Sequence, residues 1–426
     1  SRSGDYHSEV SRPPKSQRRV VITGMGALTP LGLNVGESWA NAIAGKSGIA
    51  RIQSFDPTQF ESQIAGEIKG FDPGDIINKK DLKKMDRFIQ IALVAAHQAL
   101  QDSGLMITEE NSEKIGSFVG VGMGGLPGIE RQHSVYLERG PSRISPFFIP
   151  AVISNLASGQ ISLAYKLRGP NFAVTSACAS GAHALGEATE YIRKGLCTAM
   201  IAGGSESVVC EMAVGGFAAM KALSTRNETP GLASRPFDRD RDGFVIAEGC
   251  GIFILEDFEH ARKRGAKIYA EITGYGASSD GYHMTNPDPT GDGAYRAIQA
   301  ALKDAALNAE SVDYINAHGT STPAGDEIEI QAIKRVLGQH KDKTWVSSTK
   351  SMTGHALGGA GAIETMFCLK TIETGIVPPT INLENPSEGC DLNLVPHVAR
   401  ERKITHVLNN SFGFGGTNAC LVFSKV

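Results

Sequence analysis

Short apolar stretches alternate with amphipathic, helix-like stretches along most of the chain. A β-branched strand ended by glycine is predicted at residues 19–24, and residues 86–103 carry apolar positions at helical spacing before Gly104, a helix-ending signal. Further buried strands are predicted at residues 115–121, 198–202, 314–317, 345–348 and 407–409. Such alternation is typical of α/β layers in which helices cover both faces of a sheet.

The chain contains an internal similarity around one strand-turn-helix corner. Residues 174–188 align without gaps on residues 346–360, an offset of 172, with seven of fifteen pairs identical. Chance similarity between two Gly/Ala-rich stretches is the alternative, but the shared strand-turn-helix context favours a duplicated fold. We therefore expect a flexible tail at 1–18 and two similar halves, 19–265 and 266–426. In this alignment Lys350 takes the position of Cys178.

Composition restricts the partners and the compartment. A net charge of -3 gives no reason to expect nucleic acid or an anionic membrane as a partner. No apolar run approaches the roughly 18 residues of a membrane span. Seven cysteines without a CxxC pair argue against a zinc ribbon or a thioredoxin motif and fit a reducing compartment. We expect no metal and a cytoplasmic protein; an organelle stroma or matrix is the alternative if the tail is a transit-peptide remnant.

Cys178 is the candidate nucleophile. It follows a β-branched strand and a turn of small residues and precedes an amphipathic helix. At a helix N-terminus, unpaired N–H groups and the helix dipole stabilise a thiolate, so the pattern predicts a lowered thiol pKa. The alternative is that Cys178 is a small packing residue. His183, on the same helix, is interpreted as a packed core histidine.

A second candidate segment surrounds His318. This histidine lies where a strand runs into a polar loop that carries the Thr320 and Thr322 hydroxyls. The ends of strands are where α/β folds bind ligands. Alternatively, the threonines and Asp326 only form the turn and cap the next helix.

The C-terminal part carries two more candidate segments. Lys350 and His355 fall between a strand and a Gly/Ala-rich helix, which must pack closely against a neighbour. Glu364 lies in that otherwise apolar helix; a buried carboxylate is costly unless it is paired, and Lys350 is the obvious partner. Phe414 belongs to a turn of alternating Gly and Phe whose N–H groups could face an anion, although a purely structural turn is the alternative.

Together these segments resemble the β-ketoacyl-[acyl-carrier-protein] synthases of fatty-acid synthesis, most closely the elongating synthase II type. The Cys178 motif, His-Gly-Thr-Ser-Thr at 318–322, Lys-Ser-Met-Thr-Gly-His at 350–355 and Asn-Ser-Phe-Gly-Phe-Gly-Gly-Thr-Asn at 410–418 occur in the family's order. The resemblance covers residues 19–426. It implies a duplicated thiolase-like five-layer αβαβα fold, usually a homodimer, and no cofactor beyond the phosphopantetheine that arrives on the acyl carrier protein (ACP).

The implied reaction is a decarboxylating Claisen condensation that elongates acyl chains. Cys178 would take the acyl group from acyl-ACP as a thioester, and malonyl-ACP would then lose CO2 and attack it to give 3-oxoacyl-ACP. His318 and His355 would bind the malonyl thioester carbonyl, with Lys350 and Glu364 holding their environment. The N–H groups of Cys178 and Phe414 would form an oxyanion hole.

The resemblance also implies positions that contact the substrate and the carrier protein. Thr320 and Thr322 would bind the phosphopantetheine arm, Met123 and Phe217 would line the acyl tunnel, Phe414 would gate it, and Phe148 would approach it from the partner subunit. The acyl length remains open, because Met123 lies where chain-length preference is set. An acidic carrier protein requires a basic patch, which we predict at Lys79, Lys80, Lys83, Lys84, Arg143 and Lys221. For the lysine run, a solvated helix face is the alternative.

Three related classes of protein provide competing hypotheses. A thiolase needs a second active cysteine near the C-terminal glycine-rich motif, but Cys420 lies in an apolar, strand-like stretch that fits the core. Initiating synthases and plant-type polyketide synthases favour a Cys/His/Asn set, whereas this chain has His355 in place of the Asn. A non-catalytic chain-length subunit lacks the nucleophile, and Cys178 is present.

Overall fold

The computed structural model describes residues 17–426, so the predicted tail at 1–18 lies outside the described residues except for its last two positions. The strands are β1 (Val20–Leu28), β2 (Ile49–Arg51), β3 (Ile64–Gly66), β4 (Ile115–Gly120), β5 (Asn171–Val174), β6 (Ala199–Glu206), β7 (Gly249–Asp257), β8 (Ala270–Ser279), β9 (Tyr314–Asn316), β10 (Trp345–Ser347), β11 (Ile376–Val377), β12 (Arg400–Glu401), β13 (His406–Gly413) and β14 (Thr417–Ser424). The helices are α1 (Val35–Ile43), α2 (Lys79–Leu82), α3 (Arg87–Ser103), α4 (Leu126–Arg139), α5 (Phe148–Val152), α6 (Leu156–Tyr165), α7 (Ser180–Arg193), α8 (Glu211–Ala219), α9 (Phe258–Lys263), α10 (Asp292–Asp304), α11 (Gly325–Leu337), α12 (Lys350–Thr353) and α13 (Ala360–Thr374). Short 3₁₀ helices include Pro141–Arg143, Ala177–Ala179 and Leu357–Gly359.

A ten-stranded sheet contains one five-stranded pattern twice. In the first copy the order is β1-β7-β6-β4-β5, with β7 antiparallel to both of its neighbours and β4 parallel to both of its neighbours. The second copy, β8-β14-β13-β9-β10, repeats both the order and the strand directions. The copies meet through two residue pairs between β1 and β8. The repeated topology is that of a duplicated α/β fold.

The apolar side chains form three large clusters that correspond to the layers of the fold. One lies between α3, α6 and the strands of the first copy. The central cluster surrounds α7 and α13 and takes residues from strands of both copies. The third lies between α10, α11 and the strands of the second copy. The layers therefore run helix, sheet, helix, sheet, helix. No helix in residues 17–426 is both long enough and apolar enough to cross a membrane.

β1 and β6 continue through glycines at which the sequence pattern predicted strand ends. β1 passes Gly24, and β6 passes Gly203. A Cβ at Gly24 would lie 2.3 Å from the carbonyl oxygen of Ala99 in α3, and one at Gly203 would lie 1.9 Å from the carbonyl oxygen of Gly251. Because these glycines permit close approach of neighbouring backbone, the predicted strand ends were wrong. The predicted end of α3 is confirmed: Gly104 follows it in the left-handed conformation, with φ 65.

Both copies contain the same strand-turn-helix corner, but its register differs from the gapless alignment. In both, a non-glycine residue with positive φ, Ala177 (φ 51) or Leu357 (φ 54), begins a 3₁₀ turn before a long helix. α7 begins at residue 180 and α13 at residue 360, so the second copy has an extra stretch that contains α12. The structural counterpart of Cys178 is therefore Gly358, and the prediction that Lys350 takes its position was wrong.

α7 and α13 contact each other closely at their N-terminal ends. A Cβ at Gly361 would lie 2.9 Å from the backbone nitrogen of Ala182, and one at Gly181 would lie 3.0 Å from the carbonyl oxygen of Gly358. The Gly/Ala-rich start of α13 thus has the close neighbour that the sequence predicted, and it joins the two copies beside Cys178.

Replacing Gly361 with valine is expected to lower the free energy of unfolding by about 1–3 kcal/mol, because the backbone of α7 cannot move aside without strain. Urea denaturation measures this change. The matched control is Gly216→Val in α8, because a Cβ at Gly216 meets nothing within 4 Å. Equal unfolding midpoints for the two variants would contradict the tight helix contact.

Candidate active site

A cavity of about 750 Å³ lies at the carboxyl ends of parallel strands from both copies. β4, β5, β6, β9 and β13 each end at its wall. Because the two copies contribute equivalent strand ends, one cavity collects motifs that lie far apart in sequence. Its wall includes these residues singled out from the sequence: Met123, Cys178, Phe217, Lys221, His318, Thr320, Thr322, His355 and Phe414.

Cys178 lies in the 3₁₀ turn directly before α7. The positive φ of Ala177 turns the chain sharply from β5 into this position. The turn between β13 and β14 passes close by: a Cβ at Gly413 would lie 3.1 Å from the backbone nitrogen of Cys178. Within residues 17–426, the backbone N–H groups of Cys178 and Phe414 donate to no backbone carbonyl oxygen. Two donors are therefore available to an oxyanion beside the sulfur.

The Cys178 thiol differs from its predicted state. Burial raises its pKa to about 12; the positive charge of Lys350 opposes this shift, and the negative charge of Glu206 adds to it. The prediction of a lowered pKa from the helix N-terminus alone was therefore wrong. The thiol is protonated at neutral pH, so its attack on a substrate requires transfer of the proton.

A buried ion pair lies behind His318. The Lys350 ammonium donates to Glu364 Oε1 at 2.6 Å, and both side chains are almost fully buried. The predicted pairing of these two residues is confirmed. Lys350 Nζ also donates to the His318 carbonyl oxygen at 2.8 Å and lies 3.4 Å from His318 Nδ1. Burial raises the pKa of the Glu364 carboxyl to about 7, and Lys350 opposes that shift.

Hydrogen bonding indicates the same tautomer for both site histidines. His318 Nδ1 faces the Lys350 ammonium, and His355 Nδ1 accepts the N–H of Leu357 at 3.3 Å. Since a ring nitrogen that accepts a hydrogen bond carries no proton, each neutral ring carries its proton on Nε2. The pKa of both histidines lies well below the usual range. Burial is the main cause, and the charge of Lys350 is the second. The rings are 5.3 Å apart and nearly perpendicular, giving the cavity two neutral N–H donors.

Two buried carboxylates that the sequence analysis did not single out hold the loops of the site. Glu329 accepts the backbone N–H groups of His318 and Gly319 at 2.8 and 2.7 Å. Glu206 accepts those of Met123 and Gly358 at 3.1 and 3.2 Å. Burial raises the pKa of each to about 7 against these backbone donors. A glutamate ending the apolar and glycine-rich β6 was the signal that could have identified Glu206.

Hydroxyl groups and apolar side chains share the cavity wall. Thr320 Oγ1 and Thr322 Oγ1 lie 3.1 Å apart. The Phe217 ring is centred 6.4 Å from that of Phe414. Met123 remains 40% exposed, so its side chain is free to contact a ligand.

The remaining predicted residues lie outside this cavity. Phe148 and Lys83 line a second cavity of about 450 Å³. Lys84 Nζ lies 5.4 Å from the centre of the Phe147 ring, and Lys79 and Lys80 begin α2 beside this region. Arg143 lies in the 3₁₀ helix after α4.

Asp326 does not cap α11 as the alternative interpretation proposed. Its carboxylate accepts the backbone N–H groups of Phe237 and Ser321 at 2.8 and 3.1 Å. All seven cysteines are free thiols, and six are buried. Among residues 17–426 no group of three or more His, Cys, Asp or Glu side chains could hold a metal ion.

Comparison with known proteins gives consistent matches over nearly the whole chain. Residues 17–261 match the Beta-ketoacyl synthase, N-terminal domain, and residues 269–384 match the Beta-ketoacyl synthase, C-terminal domain. The chain is 52% identical over 410 residues to 3-oxoacyl-[acyl-carrier-protein] synthase 2 of Coxiella burnetii, covering 96% of this chain and 99% of that protein. It is 51% identical over 413 residues to the protein of the same name from Vibrio cholerae, covering 96% and 100%.

Solved structures give the same result for the fold. A beta-ketoacyl synthase from Burkholderia phymatum superimposes with a TM-score of 0.89 at 38% identity, covering 96% of this chain and 100% of that chain. A type II polyketide ketosynthase solved in complex with its acyl-carrier protein has a TM-score of 0.89 at 36% identity, with the same coverage. The fold is thiolase-like, and the chain is a member of the β-ketoacyl synthase family of condensing enzymes.

Proposed function

We propose that this protein elongates acyl chains in type II fatty acid synthesis by condensing an acyl-Cys178 thioester with malonyl-ACP. The observation that carries the proposal is the pair of neutral imidazoles, His318 and His355, whose N–H donors share one cavity with Cys178. A hydrolytic Cys/His pair would need neither the second histidine nor the buried Lys350. The relatives named 3-oxoacyl-[acyl-carrier-protein] synthase 2 support the same reaction.

The first half-reaction loads the enzyme. The Cys178 sulfur attacks the thioester carbonyl of acyl-ACP, and the resulting oxyanion accepts the N–H groups of Cys178 and Phe414. The carbon–sulfur bond to the carrier then breaks, and the carrier thiol leaves with the proton that Cys178 lost. A pre-positioned donor of this kind stabilises such an oxyanion by about 2.7–4 kcal/mol.

The second half-reaction forms the carbon–carbon bond. The Nε2–H groups of His318 and His355 donate to the thioester carbonyl of malonyl-ACP while its carboxylate leaves as CO2. The electron pair of the broken bond enters the enolate, whose negative oxygen the two neutral donors stabilise without a metal. The enolate carbon attacks the acyl-Cys178 carbonyl, and the sulfur leaves as a thiolate that takes up a proton from water, giving 3-oxoacyl-ACP that is longer by one two-carbon unit.

The other wall residues divide between the arm and the acyl chain. Thr320 and Thr322 bind the phosphopantetheine arm through their hydroxyls, and the protein requires no further cofactor. Met123 and Phe217 contact the acyl chain, and Phe414 gates its pocket. The size of Met123 then sets the preferred chain length.

A homodimer is part of the proposal. β5 lies at the edge of the sheet, and its Phe172 is 39% exposed. Leu137 in α4 and Ile149 in α5 are 69% and 59% exposed. A second copy covering β5 and the α4–α5 segment would bury them, and Phe148 would then approach the partner's acyl pocket.

The proposed organisation has two further parts. The chain divides near Ala266 into halves 19–265 and 266–426, which is supported by the family matches that end at 261 and begin at 269. We place the protein in the cytoplasm of a bacterium because its named relatives come from bacteria. An organelle stroma or matrix is the alternative.

The proposal is tested by intact-protein mass spectrometry after incubation with a medium-chain acyl-ACP, followed by malonyl-ACP. The expected result is one acyl adduct that discharges into a 3-oxoacyl-ACP two carbons longer. Efficient priming by acetyl-CoA would identify an initiating synthase instead. No adduct from acyl-ACP, with turnover of CoA thioesters, would identify a thiolase.

Charge reversal at Lys83 and Lys84 is expected to raise the KM for acyl-ACP about tenfold, because like charges then face the acidic carrier. The increase should diminish at high salt, since exposed charges are screened. Steady-state kinetics at two ionic strengths measure both effects. Lys263→Glu with Lys303→Glu is the control, since both lysines are exposed on other helices. An unchanged KM would leave the lysine run as a solvated helix face.

A further inference from the structure

The loop that carries Thr320 and Thr322 contains a strained residue between them. Ser321 has φ 75, a left-handed conformation that non-glycine residues seldom adopt. Its side chain is fully buried, whereas the threonines on either side reach the cavity wall. Such a conformation persists only when the surroundings impose it. The 3.1 Å spacing of the two threonine hydroxyls therefore depends on what holds Ser321.

Every polar group of Ser321 has a partner. Its N–H donates to Asp326 Oδ1 at 3.1 Å, and its carbonyl oxygen accepts the N–H of Gly243 at 3.1 Å. Its hydroxyl accepts the backbone N–H of Arg235 at 2.9 Å. Two of the three partners come from the segment between α8 and β7, residues 235–243, which packs against the outer side of the loop.

Arg241 of this segment holds the next two residues of the loop. Its guanidinium donates from Nε to the Thr322 carbonyl oxygen at 2.8 Å and from Nη2 to the Pro323 carbonyl oxygen at 2.5 Å. Nη1 donates to the Ser387 hydroxyl at 2.5 Å, and this hydrogen bond holds the guanidinium on the side away from the loop. A planar guanidinium presents these donors on separate nitrogens in one fixed fork, whereas an ammonium carries its three donors on a single atom and does not reproduce that geometry.

The charge of Arg241 is balanced within the same cluster. Its side chain is 3% exposed and lies 3.7 Å from Asp326 and 3.2 Å from Glu327. Asp326 itself accepts the Ser321 N–H. The ion pair and the strained loop are therefore one connected unit that ends at the cavity wall.

We propose that Arg241 is a positioning residue for the carrier arm: it fixes the Thr322 carbonyl and, through the strained Ser321, the geometry of both threonine hydroxyls. The inference rests on the proposed function, which gives those hydroxyls the phosphopantetheine as their ligand. It adds that the Arg241 side chain, together with the backbone N–H groups of Arg235 and Gly243, sets the affinity of both carrier-bound substrates without being required to touch them.

Arg235 provides a matched control in the same segment. Over the whole residue, backbone included, it is as buried as Arg241, at 7% against 8% exposure. Its guanidinium donates to Asp238 Oδ2 and to the Leu232 carbonyl oxygen, and not to the loop. A general loss of packing in this segment would affect both arginines, whereas a positioning effect is specific to Arg241.

The test measures KM and kcat separately for Arg241→Lys in the full-length protein. Lysine keeps the charge opposite Asp326 and Glu327 but loses the fork, so KM for acyl-ACP and for malonyl-ACP should rise about tenfold. The kcat should stay within about twofold, and iodoacetamide should alkylate Cys178 at the wild-type rate, because the arm takes no part in that reaction. Arg235→Lys should keep the wild-type KM values. Ser387→Ala removes only the hydrogen bond between Arg241 Nη1 and the Ser387 hydroxyl, and it should raise KM about twofold. This variant provides a readout if Arg241→Lys folds poorly.

A cycle in a background that lacks both hydroxyls, Thr320→Val with Thr322→Val, completes the test. If Arg241 acts through these hydroxyls, adding Arg241→Lys to that background should change the KM by no more than about twofold. Additive increases, an equal increase in Arg235→Lys, or a fall in kcat at constant KM would overturn the inference. A wild-type protein that acyl-ACP does not acylate would refute the proposed function itself. An active wild type with an unchanged KM in Arg241→Lys and in Ser387→Ala would refute only the inference.

Discussion

Cys178→Ala is expected to form no acyl adduct and to lose condensation by roughly 10⁴-fold or more, since removing a covalent nucleophile eliminates both half-reactions. Release of CO2 from malonyl-ACP should continue, because the His318 and His355 donors do not depend on the sulfur. Intact-protein mass spectrometry measures the adduct, labelled CO2 measures decarboxylation, and product analysis measures 3-oxoacyl-ACP. Alanine removes only the sulfur from a half-buried position, so the variant should remain folded.

Cys420→Ala is the matched control for this prediction. Cys420 is a fully buried free thiol in β14, and it is the residue that a thiolase mechanism would require. The elongating-synthase mechanism predicts wild-type adduct formation in Cys420→Ala. An adduct that persisted in Cys178→Ala, or that disappeared in Cys420→Ala, would contradict the proposed mechanism.

The catalytic candidates could be predicted because their chemistry is local in sequence. Cys178 is marked by a strand, a small-residue turn and a helix, and Glu364 by a charge in an apolar helix that needed a cation. The thiol pKa could not be predicted, because the helix N-terminus is local whereas burial depends on the whole fold. Burial raised the pKa that the local pattern had predicted to be low.

The residues that hold the loops were not predictable for a related reason. Glu206 accepts the N–H of Met123, which is 83 positions away, and Arg241 donates to Thr322, which is 81 positions away. No periodicity or motif joins such positions, and only the completed layers bring them together. The predicted register of the internal repeat was wrong for a similar reason, because a gapless alignment cannot accommodate the additional stretch that contains α12.

The glycines of β1 show the limit of turn signals. Gly24 was interpreted as a strand end because glycine punctuates many sequences. Its actual function is to admit the α3 backbone, which a Cβ would meet at 2.3 Å. By contrast, α3 was predictable because its apolar periodicity and its terminal Gly104 gave independent local signals.

Lys350→Ala is expected to have the second-largest effect, and it acts in two ways. It leaves Glu364 buried without its cation, which should lower the free energy of unfolding by about 3–5 kcal/mol. It also removes the ammonium beside His318 Nδ1, so the His318 proton is no longer held on Nε2 and one donor to the enolate is lost. Losing such a donor should slow decarboxylation and condensation by roughly 10²–10³-fold. Urea denaturation and CO2 release measure the two effects separately.

Lys350→Met with Glu364→Leu separates the structural effect from the catalytic effect. Replacing both partners of a buried ion pair with apolar groups is often neutral for stability, so this variant should recover most of the unfolding free energy that Lys350→Ala loses. The rate of CO2 release should stay low, because no cation faces His318 Nδ1. Acylation of Cys178 by acyl-ACP should persist, since that step uses the backbone donors of Cys178 and Phe414. Recovery of the decarboxylation rate along with the stability would show that the pair supports the fold alone and that His318 holds its tautomer without Lys350.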